Sequence, residues 1–177
     1  MNKFSIRMFN EIWFRKPLKK GITTFQKFMH PLDSIGNWNY VYGKNGFIQY
    51  QFVIPIDQTQ VLYQILEVLK EFKVSSFLTV LKKFGRNGSG YLSFPIPGWT
   101  LAMDFSSSIR NLSKVIEKLD EIVNQAGGRI YLTKDSTSQP NYIKLMYPNL
   151  NTWKSIKFEM DPKNFWKSDQ SRRLELC

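Results

Sequence analysis

The sequence predicts an α+β fold, an antiparallel sheet with helices covering one face. Three observations carry that reading. Short β-forming runs alternate with two long stripes of apolar residues at helical spacing. Gly, Pro, Asn and Ser clusters punctuate the runs, as turns require. The resulting order is strand, helix, strand, strand, strand, helix, strand, which resembles a split βαβ pattern.

Residues 1–45 read as an irregular, aromatic junction segment. Phe9 to Phe14 suits a short helix, which Lys16-Pro17 should end, because proline disfavours helix in the residue before it. His30-Pro31-Leu32-Asp33 and Gly36-Asn37-Trp38-Asn39-Tyr40 read as a structured loop. Residues 46–137 form the expected domain core, beginning with the strand Phe47 to Ile54. Its alternation puts Ile48, Tyr50, Phe52 and Ile54 on one apolar face and Gln49 and Gln51 side by side on the other. Pro55 stops it, and a helix is expected from Gln58 to Phe72. Phe77 to Phe84 reads as a strand, Gly85 to Gly90 as a flexible hairpin, Tyr91 to Phe94 as a short strand, and Trp99 to Phe105 as another. Ser106 to Ser108 offer N-cap side chains to a helix striped by Ile109, Leu112, Val115, Ile116, Leu119 and Val123. Gly127-Gly128 should end that helix. Arg129 to Thr133 reads as the last strand, and residues 138–177 as a helical segment with helices near Asn141 to Met146 and Asn151 to Met160.

Composition excludes several functions. The single cysteine, Cys177, allows neither an internal disulfide nor a cysteine metal site. The one histidine, His30, cannot build a histidine-rich metal site. The phosphate-cradling patterns GxGxxG and GxxxxGK[ST] do not occur, nor does HExxH. No apolar run reaches the length of a membrane-spanning helix, and the start lacks an uninterrupted apolar stretch, so a cytoplasmic location is expected. The net charge of +11 is spread along the chain rather than gathered in a block, and the aromatics lie mostly on apolar strand faces, so no nucleic-acid partner is expected.

Four segments carry a resemblance. They are His30-Pro-Leu-Asp33 running to Trp38-Asn39; Gly46-Phe-Ile-Gln-Tyr-Gln-Phe-Val-Ile-Pro55; Leu92-Ser-Phe-Pro-Ile-Pro-Gly-Trp99 with Met103-Asp-Phe105; and Gly127-Gly-Arg-Ile-Tyr-Leu-Thr-Lys-Asp-Ser136. Behind the last stand Met146-Tyr-Pro148, Trp153, Asp161-Pro162 and Ser168-Asp169 to Leu176. Each is weak alone, but in this order they resemble the FAD-linked oxidases of the vanillyl-alcohol oxidase superfamily. Within it the likeness is to the decaprenylphosphoryl-β-D-ribose oxidases, and more loosely to the D-arabinono-1,4-lactone oxidases.

The resemblance covers the cap, or substrate, part and the C-terminal segment of such enzymes. It implies FAD as cofactor, held mostly by a domain that this sequence does not match, so a separately encoded FAD-binding domain is an expected partner. It also implies a lipid-linked sugar substrate met at the inner membrane face, and a short-chain reductase that takes the product. By position, Lys134 matches the lysine facing flavin and substrate, where a cation stabilises charge developing on the flavin. Tyr131, Gln49, Gln51 and Lys82 match pocket positions; amides suit sugar hydroxyls as both donors and acceptors, and Lys82 suits a phosphate. Trp38 and His30 match the loop that edges the pocket. Two positions depart: Ala102 stands where the ribose oxidases carry a cysteine, and Thr100 where they carry an asparagine.

The bland readings stand beside these. Lysines are usually solvated, and two glutamines on one strand face suit a plain wet surface. A loop histidine usually bonds to backbone. Met1 stands just before the segment that resembles the domain junction, which suggests a split or truncated reading frame. The expected function is therefore the substrate-binding part of an FAD-dependent sugar oxidase. The alternatives are part of an aldonolactone oxidase, or a non-catalytic orphan cap.

Overall fold

A computed structural model describes residues 3–15, 21–30, 36–37, 40 and 42–177. The chain divides into two compact units, residues 1–47 with 106–108, and residues 48–105 with 109–177. In the first, α1 (Lys3–Arg15) is longer than the short helix expected, and α2 (Phe25–Met29) was not signalled by any apolar period. Thr24 caps α2 by accepting the amide of Lys27. Tyr42 stacks on Phe47 with centroids 3.9 Å apart.

The second unit is built on a four-stranded sheet of order β2-β3-β1-β4, from β1 (Phe47–Pro55), β2 (Thr79–Phe84), β3 (Gly98–Ser106) and β4 (Arg129–Ile130). Helix α3 (Gln60–Glu71) connects β1 to β2, and α4 (Leu112–Gln125) connects β3 to β4. The fold is α+β, as expected, with four strands in a β-α-β-β-α-β order of the ferredoxin-like kind. After β4 come a 3-10 turn (Leu132–Lys134), α5 (Pro140–Met146), α6 (Leu150–Met160) and α7 (Asp169–Arg173).

Alternation places the core as the sequence predicts. Phe52, Ile54, Leu101, Met103 and Phe105 are buried with Val61, Ile65 and Leu69 of α3 and Val115, Ile116, Leu119 and Val123 of α4. Tyr147, Leu150, Leu174 and Leu176 extend the same cluster toward the C-terminus. Two glycines permit close backbone approach: a Cβ on Gly98 would sit 1.9 Å from the Ile54 carbonyl oxygen, and one on Gly128 would sit 2.4 Å from that of Val53.

Three expectations are corrected. Tyr91 to Phe94 is not a strand: Pro95 has no amide to pair, and its carbonyl accepts from Gly88 within the loop. The last strand pairs over Arg129–Ile130 only, because the chain turns into the 3-10 helix after Tyr131. Ser106 to Ser108 do not cap α4, whose N-cap is Asn111 in a left-handed conformation; the Ser108 hydroxyl accepts from Asn45 instead.

Candidate functional site: the polar face of the sheet

The side of the sheet away from α3 and α4 carries the other half of each alternation. From β1 it takes Gln49, Gln51 and Val53, and from β3 Thr100, Ala102 and Asp104. In β2, Lys82 lies opposite Thr100 and Val80 opposite Ala102. On the far edge, Arg129 lies opposite Val53, and the Tyr131 amide donates to the Gln51 carbonyl at 2.8 Å. Lys82, Thr100, Gln51 and Tyr131 therefore run across the sheet from one edge to the other.

The polar groups on this face are paired with one another. Gln51 Nε2 donates to Thr100 Oγ1 at 2.9 Å, and Gln49 Nε2 donates to Asp104 Oδ1 at 2.6 Å. Thr100, Ala102, Asp104 and Gln51 are buried, Gln49 and Tyr131 half-buried, and Lys82 exposed. Each amide keeps an oxygen and a second N–H beyond these bonds, so the pair can still donate and accept. Such an arrangement suits the hydroxyls of a sugar, each of which is both donor and acceptor.

The loop between β2 and β3 closes one end of this face. Phe94 stacks on Tyr131 with centroids 4.5 Å apart and meets the edge of Phe84 at 5.7 Å. Arg129 Nη1 donates to the Ser93 carbonyl at 2.9 Å, and its guanidinium lies 5.3 Å from the centre of the Tyr147 ring. Burial lowers the Arg129 pKa from its ordinary value. The Arg129 Nε atom is buried with no acceptor among the described residues.

Lys134 follows Tyr131 by one 3-10 turn, its amide donating to the Tyr131 carbonyl at 3.0 Å. The turn begins directly after Tyr131, so Lys134 stands three residues beyond the edge that Tyr131 forms. Lys134 is half-buried, and among the described residues no carboxylate pairs with its ammonium. Lys83, the neighbour of Lys82, points to the other side and lies 5.6 Å from the centre of the Trp99 ring, as strand alternation requires. His30 ends α2 in the first unit and is exposed there. Trp38 lies outside the described residues.

Sequence reasoning overlooked four groups that matter here. Asp104 shares the parity of Thr100, so a carboxylate within an otherwise apolar strand was its signal. Asp120 sits beside Leu119 on the apolar stripe of α4 and is buried. It accepts from the Tyr50 hydroxyl at 2.8 Å, and desolvation raises its pKa to about 7 against the pull of that hydrogen bond. The same burial, with Asp120 beside it, raises the Tyr50 pKa. Gln170 and Arg173, in the C-terminal segment, bond to the Lys134 turn.

Residues 101–174 match the family model of D-arabinono-1,4-lactone oxidase. Over 177 residues, 99% of the chain, the sequence is 38% identical to the decaprenylphosphoryl-beta-D-ribose oxidase of Mycolicibacterium smegmatis. Over 97 residues, 55% of the chain, it is 38% identical to an uncharacterized protein in the mprA 5' region of Streptomyces coelicolor. The chain spans 38% of the length of the first relative and 26% of the second. The resemblance to the C-terminal part of FAD-linked oxidases, related to the lactone oxidases, is thus supported along nearly the whole chain.

Proposed function

From this likeness to the C-terminal part of FAD-linked oxidases, we propose that the chain is the substrate side of an FAD-dependent oxidoreductase acting on a secondary alcohol of a sugar. The observation that carries the proposal is the polar row Lys82, Thr100, Gln51 and Tyr131 with the Lys134 turn at its end. The proposed substrate is a polyprenylphosphoryl-β-D-ribose, oxidised at C2.

The residues present fit one edge of a flavin and not the whole cofactor. Lys134 is a half-buried cation without a carboxylate partner among the described residues, the kind of group that meets charge developing on a ring system. No glycine-rich phosphate cradle stands in the sequence, so the pyrophosphate is left to another domain. A bound flavin supplies the hydride acceptor. Gln49 and Gln51 hold the sugar hydroxyls, Tyr131 and Phe94 wall the site, and Lys82 at the exposed edge meets the substrate phosphate. Lys134 provides positive charge at the far edge.

The partner that follows is an FAD-binding domain, either encoded separately or joined to this chain. Large apolar side chains left exposed in each unit support it, among them Phe4, Phe25 and Phe28 in the first and Phe158, Phe165 and Trp166 in the second. No described helix is long and apolar enough to cross a membrane. The net charge of +11 suits approach to an anionic surface that presents a lipid-linked sugar, and a short-chain reductase would take the product.

A lactone-oxidase role is the second reading, favoured by the family match over residues 101–174, which includes Lys134. The test is a flavin absorbance spectrum of the chain, alone and with an FAD-binding domain. Flavin retained in the mixture, with turnover of the ribose substrate abolished by Lys134→Ala, supports the first reading. Turnover of an aldonolactone alone supports the second, and no flavin in either sample leaves a binding module.

A further inference from the structure

We propose that Gln170 and Arg173 of α7 are positioning residues that aim the Lys134 ammonium. The inference rests on the reading of Lys134 as the flavin-facing cation. The turn that carries Lys134 is a single 3-10 turn, with one amide bond of 3.0 Å from Lys134 to Tyr131 and one of 3.3 Å from Asp135 to Leu132. A turn this short has poor hydrogen-bond geometry and does not hold its own direction. The Lys134 side chain makes no hydrogen bond or ion pair among the described residues, so the backbone beneath it is what sets where its Cα–Cβ bond starts.

That backbone is clasped from the C-terminal segment. Gln170 Nε2 donates to the carbonyls on both sides of Lys134, those of Leu132 and Asp135. The Asp135 carboxylate is buried and accepts the amides of Thr137 at 3.1 Å and Ser138 at 2.8 Å through Oδ1. Its Oδ2 pairs with Arg173 Nη2 at 2.7 Å, while Arg173 Nη1 donates to the Ser138 carbonyl. Asp135 is thus satisfied on both oxygens by groups that fix residues 135–138.

Helix α7 is itself anchored. Ser168 and Ser171 form a reciprocal capping box at its start, and Leu174 and Leu176 beyond its end are buried in the core. The path from the core through Leu174 to Arg173, Asp135 and Lys134 consists of direct contacts and covalent neighbours. By contrast Arg172, next to Arg173, pairs with Asp169 on the exposed side of the same helix.

The experiment uses the flavin-loaded protein formed with an FAD-binding domain and a short polyprenylphosphoryl-β-D-ribose as substrate. Arg173→Ala should lower kcat about tenfold or more with KM within about twofold, since small misplacements of a reacting-site group cost rate rather than ground-state binding. Arg173→Lys should recover part of the loss, and Arg172→Ala should change nothing. Gln170→Ala is the milder variant, used if Arg173→Ala does not fold. It should lower kcat, and in the chain without flavin it should speed hydrogen exchange at the Lys134 and Asp135 amides while β1 and β3 stay protected. Unchanged kcat in folded Arg173→Ala and Gln170→Ala proteins, with Lys134→Ala inactive, overturns the positioning role alone. Unchanged exchange in Gln170→Ala overturns it too. Full turnover in Lys134→Ala overturns the reading of Lys134 first, and the positioning role with it.

Discussion

On the helix side of the sheet, Phe52, Ile54, Leu101, Met103 and Phe105 interlock with α3 and α4, and their fit is the main source of stability. On the other side, Gln49 bonds to Asp104 and Gln51 to Thr100, with Phe94 stacked on Tyr131 at the β4 edge. Paired polar groups of this kind contribute little net stability, because water would satisfy them as well in the unfolded chain. A face built for stability alone would be filled with Val and Leu. Under the proposed function the difference separates residues that keep the fold from residues that would meet a substrate, and substitutions on the two faces should separate in the same way.

The largest effect on stability belongs to the apolar face. Phe52→Ala should destabilise the chain by about 3–5 kcal/mol, through lost transfer energy and the cavity left behind. Urea unfolding followed by circular dichroism would measure it. A cost below about 1 kcal/mol would mean that the helix side is loosely packed.

Asp120 is the one carboxylate set into the apolar face among the described residues of the core, and its effect is pH-dependent. Its folded pKa is raised to about 7 from the ordinary 3.8, so the folded state binds the proton more tightly than the unfolded chain. The favourable contribution is fully present below about pH 4 and lost as the pH rises through about 7. Asp120→Asn keeps an acceptor for the Tyr50 hydroxyl and removes the buried charge. It should raise the unfolding free energy at pH 8 by as much as about 4 kcal/mol at 1.36 kcal/mol per pKa unit, and leave it nearly unchanged at pH 4, as urea unfolding at the two pH values would read. An equal gain at both pH values would show that Asp120 is not charged in the fold at pH 8.

How far the sequence revealed each face follows from the range of its determinants. The apolar face was legible because strand alternation and helical stripes are local: Ile48 to Ile54, Val61 to Leu69 and Val115 to Val123 each announce their own inner side. The placement of Gln49 and Gln51 on one surface came from the same alternation, and their resemblance-based role from neighbouring motif residues. What escaped is what depends on distant partners. Tyr91 to Phe94 has strand composition, yet the Ser93 carbonyl goes to Arg129, 36 residues away, rather than to a ladder. The Lys134 turn replaced a longer strand because Gln170 and Arg173 take its polar groups. No local pattern in residues 129–135 announces a partner at 170 or 173.

On the polar face, Gln51→Leu should cost about 1–2 kcal/mol in stability, chiefly by leaving the buried Thr100 hydroxyl without its donor. Under the proposed function its larger effect is on binding. A site built to hydrogen-bond a sugar hydroxyl loses more than the bond when one partner becomes apolar, so affinity for the ribose substrate should fall at least about tenfold. Calorimetric titration beside an unfolding curve would read both. A variant that loses stability and keeps affinity would move Gln51 from the binding set to the structural one.

The smallest effect on stability is expected at Lys82. It is exposed at the sheet edge opposite Thr100, so Lys82→Ala should stay within about 0.5 kcal/mol of the parent. If Lys82 meets a substrate phosphate, the variant should weaken binding of a polyprenylphosphoryl ribose and flatten its salt dependence, since the lost contact is between exposed charges. A neutral aldonolactone has no such charge, and its binding should not change. Titrating both ligands against both proteins at low and high salt therefore tests the charge-bearing end of the face without touching the fold. Equal losses for the two ligands would show that Lys82 shapes the site by its stem. Loss for the phosphate-bearing ligand alone would place the anionic group of the substrate at the β2 edge, at the other end of the row from Lys134.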